Sequence, residues 1–147
     1  MTQMKNTSID RLAPKDVEKL IQEIKKFLNH SVFHVPNRGR FVKEKSIIGT
    51  RSQIYYKFGI YRGNLTIKYS LHIRFFRNNV HLIRLCVNGS RHHNEDGSVI
   101  GPNHVHIYSF HDEHIESKAF NFSNFPFNEL DSLKEAIIKF EKFVQLK

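Results

Sequence analysis

From Ser52 to Asn88 the chain alternates. Ile54, Tyr56, Phe58 and Ile60 take every second position of Ser52–Tyr61. Leu65, Ile67, Tyr69, Leu71, Ile73 and Phe75 do the same in Leu65–Phe76, and Ile83, Leu85 and Val87 do so in Val80–Asn88. A period of two sends such residues to one face of a strand. Gly63–Asn64 and Asn78–Asn79 stand between the three segments. Residues that tolerate positive φ make tight hairpin turns, and strands so joined pair antiparallel. The stretch therefore predicts a sheet with one apolar face, and that face needs a cover.

Both ends of the chain supply one. Val17, Leu20, Ile21, Ile24, Phe27 and Leu28 recur at helical spacing over Pro14–Leu28, with Pro14 at the favoured first position. Leu130, Leu133, Ile137, Phe140 and Val144 form a second stripe over Glu129–Leu146, with Asn128 or Asp131 as its cap. Arg40–Ile48 and His104–Phe110 add strands. His111–Lys118 reads as a loop, and Ala119–Phe127, broken at Pro126, as an irregular docked stretch. The expectation is an α+β fold: an antiparallel β-sheet of four to six strands with an N-terminal and a C-terminal helix packed on one face. Residues 1–147 read as a single domain, with 1–12 flexible.

Charge narrows the partners. The chain has 23 Lys and Arg against 14 Asp and Glu, a formal +9. Such a field draws polyanions, chiefly RNA or single-stranded nucleic acid, and speeds encounter with an acidic protein. The cations fall on strands as well as helices: Lys68, Arg74 and Arg84 sit at polar-face positions. One cysteine excludes an internal disulfide and suits a cytoplasmic setting. No run of 18 apolar residues reads as a membrane span.

The chemistry concentrates between Arg84 and Phe110. Alternation puts His104, His106 and Tyr108 on one strand face, and a loop rich in Gly, Asn and Asp carries His92, His93 and Asp96 towards it. Two readings compete. In the first, His104 and His106 act as general base and acid for metal-independent RNA cleavage, with His93 as a third candidate. Arg84 and Arg91 hold phosphate, and Tyr108 orients or stacks. In the second, His92, His93, His104 and His106 bind a structural zinc ion, with Asp96 or Cys86 as further donors. A structural reading stands beside both, because Asn, Asp and Gly are ordinary turn residues.

The pattern V-N-G-x-x-H-x-N-x-D-G-x-x-x-G-P-N-H-x-H-x-Y, from Val87 to Tyr108, resembles a family of small uncharacterised bacterial and phage or prophage proteins. More loosely, the layout is similar to TumE-type toxins, which carry an R-x-D-N segment, an H-x-H strand and a closing helix. Here Arg84–Asn88 reads R-L-C-V-N, without the acidic residue. The resemblance implies a mobile-element context. Its two forms are a ribonuclease-like toxin held by an acidic antitoxin, and a non-enzymatic, anti-CRISPR-like inhibitor of a nucleic-acid-binding defence effector.

Overall fold

In the computed structural model, which describes residues 9–29 and 32–147, the alternating segments pair as neighbours. The elements are α1 (Pro14–Gln22), β1 (Lys25–Phe27), β2 (Phe41–Gly49), β3 (Tyr55–Arg62), β4 (Tyr69–Phe75), β5 (His81–Val87), β6 (His92–His93), β7 (Val99–Ile100), β8 (His104–His111), β9 (His114–Phe120) and α2 (Leu133–Phe143). Seven strands form one antiparallel sheet in the order β1-β2-β3-β4-β5-β8-β9, and β6 and β7 form a separate small hairpin inserted between β5 and β8. Short connections keep sequential strands adjacent, so the order follows the chain.

One face of the sheet is the core. Tyr56, Phe58, Ile60, Leu71, Ile73, Ile83, Leu85 and Val105 are buried there with Val17, Leu20 and Ile21 of α1 and Leu133, Ala136, Ile137 and Phe140 of α2. Phe58 stacks on Phe140 at 5.9 Å between ring centres. The two helices meet at Lys25, whose buried Nζ donates to the carbonyls of Ile21 (2.8 Å), Glu23 (2.8 Å) and Val144 (2.9 Å). Those carbonyls end α1 and α2, where helices leave acceptors unpaired and favour a cation. Both helices therefore lie on the same side, and the opposite face carries no helix among the described residues.

Several boundaries differ from the sequence expectation. α1 stops at Gln22 rather than Leu28, because Glu23 is extended and Lys25–Phe27 pairs with β2. Ile24 and Leu28, the tail of the expected stripe, are exposed. Gly63–Asn64 is no two-residue turn: β4 begins at Tyr69, and Leu65 and Ile67 are exposed in the connection. His111–Lys118 is largely strand, with Asp112 and Glu113 at positive φ in the turn that pairs His111 with His114. α2 is capped by Ser132 and Glu135 in a reciprocal capping box, not by Asn128 or Asp131. Of the stretch 1–12, residues 1–8 lie outside the described residues, while Ile9 and Leu12 are buried.

Candidate functional site

The open face is organised by register. Gly59, His72, Arg84, His106 and Ala119 are successive cross-strand partners on β3, β4, β5, β8 and β9. Directly opposed residues stand close enough for their side chains to touch. Cys86 faces His104 in the neighbouring row. Arg84 thus sits between two histidine groups.

The first group is sealed. Cys86 Sγ and one ring nitrogen each of His104 and His106 all lie within 4.8 Å of one another. His104 and His106 meet edge to face at 4.5 Å between ring centres. His92, from the inserted hairpin, reaches His106 at 4.7 Å and His104 at 6.1 Å. His104 is 2% exposed and His106 8%. His104 Nδ1 lies 2.6 Å from the Gly101 carbonyl. It therefore carries the proton, and Nε2 keeps the lone pair. His106 Nδ1 is buried with no hydrogen-bond partner among the described residues.

Burial drives the electrostatics of this group. It lowers His106 to about 3, helped by His104, His92 and Arg84 and opposed by a hydrogen bond with the Ser117 backbone, and it lowers His104 against the opposing Gly101 hydrogen bond. It pushes the Cys86 thiol up, with Arg84 pulling the other way. Burial thus favours the neutral forms of His104, His106 and Cys86.

The loop residues explain how the hairpin is held over the site. Asn94 donates from Nδ2 to the Ala119 carbonyl (3.0 Å) and accepts from the Ala119 N–H (2.9 Å), as a strand partner would. Asp96 accepts from the Ser98 N–H and hydroxyl, and Gly97 takes positive φ to close the turn. Asn103 Oδ1 accepts from the Asn88 N–H at 2.7 Å.

The second group is half-buried. His72 and His81 meet edge to face at 4.8 Å. His72 Nε2 lies 2.9 Å from Arg74 Nη1, which also pairs with Glu44 at 2.6 Å. A guanidinium only donates, so His72 accepts here and its ring is neutral. Burial lowers His72 to about 4, with His81, Arg74 and Arg84 adding to it, and lowers His81 to about 4 with Arg84 and Arg74. The His72 ring lies over Gly59, where a Cβ would fall 2.2 Å from its Cε1.

Arg84 is half-buried. Among the described residues no carboxylate stands within ion-pair distance of it. Around these groups the face carries Lys57 over the Phe76 ring at 5.2 Å and Arg40 over Tyr61 at 5.8 Å. Tyr55, Tyr61 and Phe76 are 54%, 44% and 58% exposed.

The structure separates the sequence candidates. It brings His92, His104 and His106 together and adds Cys86. His93 is exposed, because adjacent strand residues point to opposite sides. Arg91 is exposed ahead of β6, and Lys68 is exposed in the connection before β4, off the strand expected to carry it. Tyr108 is not with the histidines: its hydroxyl donates to the Ile9 carbonyl (2.7 Å) and accepts from the Leu12 N–H (3.2 Å), and its ring packs on Phe75. His72 and His81 were not visible as a pair, since their contact depends on the register shift between β4 and β5. A groove of about 580 Å³ beside β9 is lined by none of the histidines.

The profile of one family matches residues 12–146. The chain belongs to DUF6978, a family of unknown function. No curated protein matches the chain, and no solved structure does. The match begins at Leu12 and takes in both helices, so the DUF6978 unit comprises the whole described fold apart from a few terminal residues. No helix among the described residues of this DUF6978 chain is long and apolar enough to cross a membrane.

Proposed function

We propose that the open face of the sheet binds single-stranded nucleic acid, RNA foremost, in the cytoplasm. The observation that carries this reading is the composition of that face. Half-buried Lys57, Arg74 and Arg84 and exposed Tyr55, Tyr61 and Phe76 share one rigid surface that no helix among the described residues covers. Single strands are held by such pairings, cations tracking phosphates and aromatic rings stacking bases. Arg84 is the natural phosphate anchor, because a half-buried guanidinium without a carboxylate is completed by an anion. The formal charge of +9 adds long-range attraction.

Burial of His104 and His106 supports binding over cleavage at that pair. General acid–base catalysis needs access to substrate, whereas both of these rings are enclosed. A ribonuclease-like activity is favoured instead by the half-buried His72–His81 pair beside Arg74 and Arg84. The resemblance to phage and prophage proteins adds the biological role: growth arrest under an acidic antitoxin, or inhibition of a nucleic-acid-binding defence effector.

The test is fluorescence anisotropy with a labelled RNA oligonucleotide across a salt series, run beside a gel assay for cleavage. Binding is expected with log K falling against log salt at a slope of about −2, as for roughly three phosphate contacts on a single strand. Arg84→Ala is expected to weaken binding roughly tenfold or more, the loss of one charge-assisted contact. No binding at micromolar protein in low salt removes the proposal. Cleavage lost in His72→Gln/His81→Gln supports the enzymatic form.

A further inference from the structure

The sealed histidine group answers to a different ligand from the open face. We infer that Cys86, His104 and His106, with His92 as the fourth donor, form a tetrahedral zinc site that clamps the inserted hairpin onto the sheet.

Three observations converge on it. The donor atoms of Cys86, His104 and His106 already lie within 4.8 Å of one another, fixed by the register of two paired strands. Ligands around tetrahedral zinc stand about 3.3–3.6 Å apart, as its bond lengths dictate, so a contraction of about 1 Å closes the set. The His104 tautomer is set for it: Nδ1 donates to the Gly101 carbonyl, the kind of partner metal-bound histidines use, which leaves the Nε2 lone pair free. His106 Nδ1 is buried with no hydrogen-bond partner among the described residues. A buried, unpartnered ring nitrogen costs free energy unless something completes it. His92 then supplies the fourth position from β6, with its ring centre 4.7 Å from that of His106.

The donor chemistry selects the ion. One sulfur and three imidazoles suit zinc better than calcium or magnesium, which take oxygen ligands. Four protein donors leave no position for a reacting water, so the site is structural. On binding, the Cys86 proton leaves to solvent and the thiolate takes its place on the ion. Arg84, on the same strand face, favours that thiolate. The ion ties the 92–100 hairpin, otherwise held to β9 through Asn94 and the Glu95–His114 and Asp96–Lys118 ion pairs, to β5 and β8 beneath it.

Cobalt(II) reports such a site directly. The full chain, stripped with a chelator, is titrated with Co²⁺ and then with Zn²⁺, and circular dichroism follows the fold of each protein. The expected result is one equivalent of cobalt with intense visible d–d bands and a near-ultraviolet thiolate-to-cobalt band, both displaced by zinc. Cys86→Ser is expected to lose the near-ultraviolet band, and His106→Ala to lose stoichiometric binding. His92→Ala is expected to keep the thiolate band with at least tenfold weaker affinity, and His93→Ala to match the wild type. Folded wild-type protein that develops no bands overturns the proposal without reference to any variant. A thiolate band that survives Cys86→Ser overturns it as well, and unchanged affinity in His92→Ala removes the fourth donor.

Discussion

At the scale of single residues, Gly59 and His72 show how the open face was made. The His72 ring occupies the space a side chain at 59 would fill. Gly59→Ala is therefore expected to displace the ring, break its contact with Arg74 and cost about 1–3 kcal/mol, as overpacking does. Urea unfolding measures the cost, and the displaced His72 ring is expected to titrate closer to an ordinary histidine by NMR. The pH dependence follows from the same residue pair. His72 and His81 sit at about 4 in the fold, against about 6.5 when unfolded. Between those values the unfolded chain binds more protons, so unfolding free energy rises with pH. The stability these rings contribute is complete above about pH 6.5 and is lost as pH falls towards 4, at a limit of about 1.4 kcal/mol per pH unit for each ring. Arg84, Arg74 and Glu44 are the charges that face them. Unfolding curves of metal-free wild type and His72→Gln/His81→Gln should diverge in slope across that window; parallel slopes would show that the pair titrates normally.

At the scale of elements, Lys25 joins α1, β1 and α2. Its ammonium has three donors and meets three carbonyls. Burial pulls it down to about 7, with the charge of Glu23 opposing. Lys25→Met keeps the volume and leaves those carbonyls without a donor, so a loss on the order of 3 kcal/mol is expected in urea unfolding. A neutral result would mean that water replaces the ammonium. This junction also explains what the sequence concealed. Ile24, Phe27 and Leu28 continue a helical stripe, and nothing local says that Lys25–Phe27 will leave it to pair with β2; tertiary pairing overrode periodicity. β9 was hidden for another reason. It is an edge strand with His114, Glu116 and Lys118 along it, and its Asp112–Glu113 turn lacks the glycine that marks hairpins. The three central alternating segments were legible because each buries one face, and that pattern is periodic along the chain.

At the scale of the molecule, the two sheet faces differ in composition. Helices cover one face, while cations, rings and histidines occupy the other. The histidine cluster was legible in part: alternation aligned His104 with His106, but sidedness alone does not tell a sealed group from an open cleft. Cys86 joins through cross-strand register, and His93 leaves through the short β6. Tyr108 stands apart from the histidines, its hydroxyl held by Ile9 and Leu12, residues nearly a hundred positions away that no local pattern links to it. The measurement that bears most directly on the open-face proposal is photocrosslinking of the full chain to a 4-thiouridine RNA, with the modified residues located by mass spectrometry. Crosslinks are expected at Tyr55, Tyr61 or Phe76, abolished in high salt and reduced in Arg84→Ala. Crosslinks confined to the outer surface of α2 or the loop at 63–68, with none on β3 or β4, would contradict it.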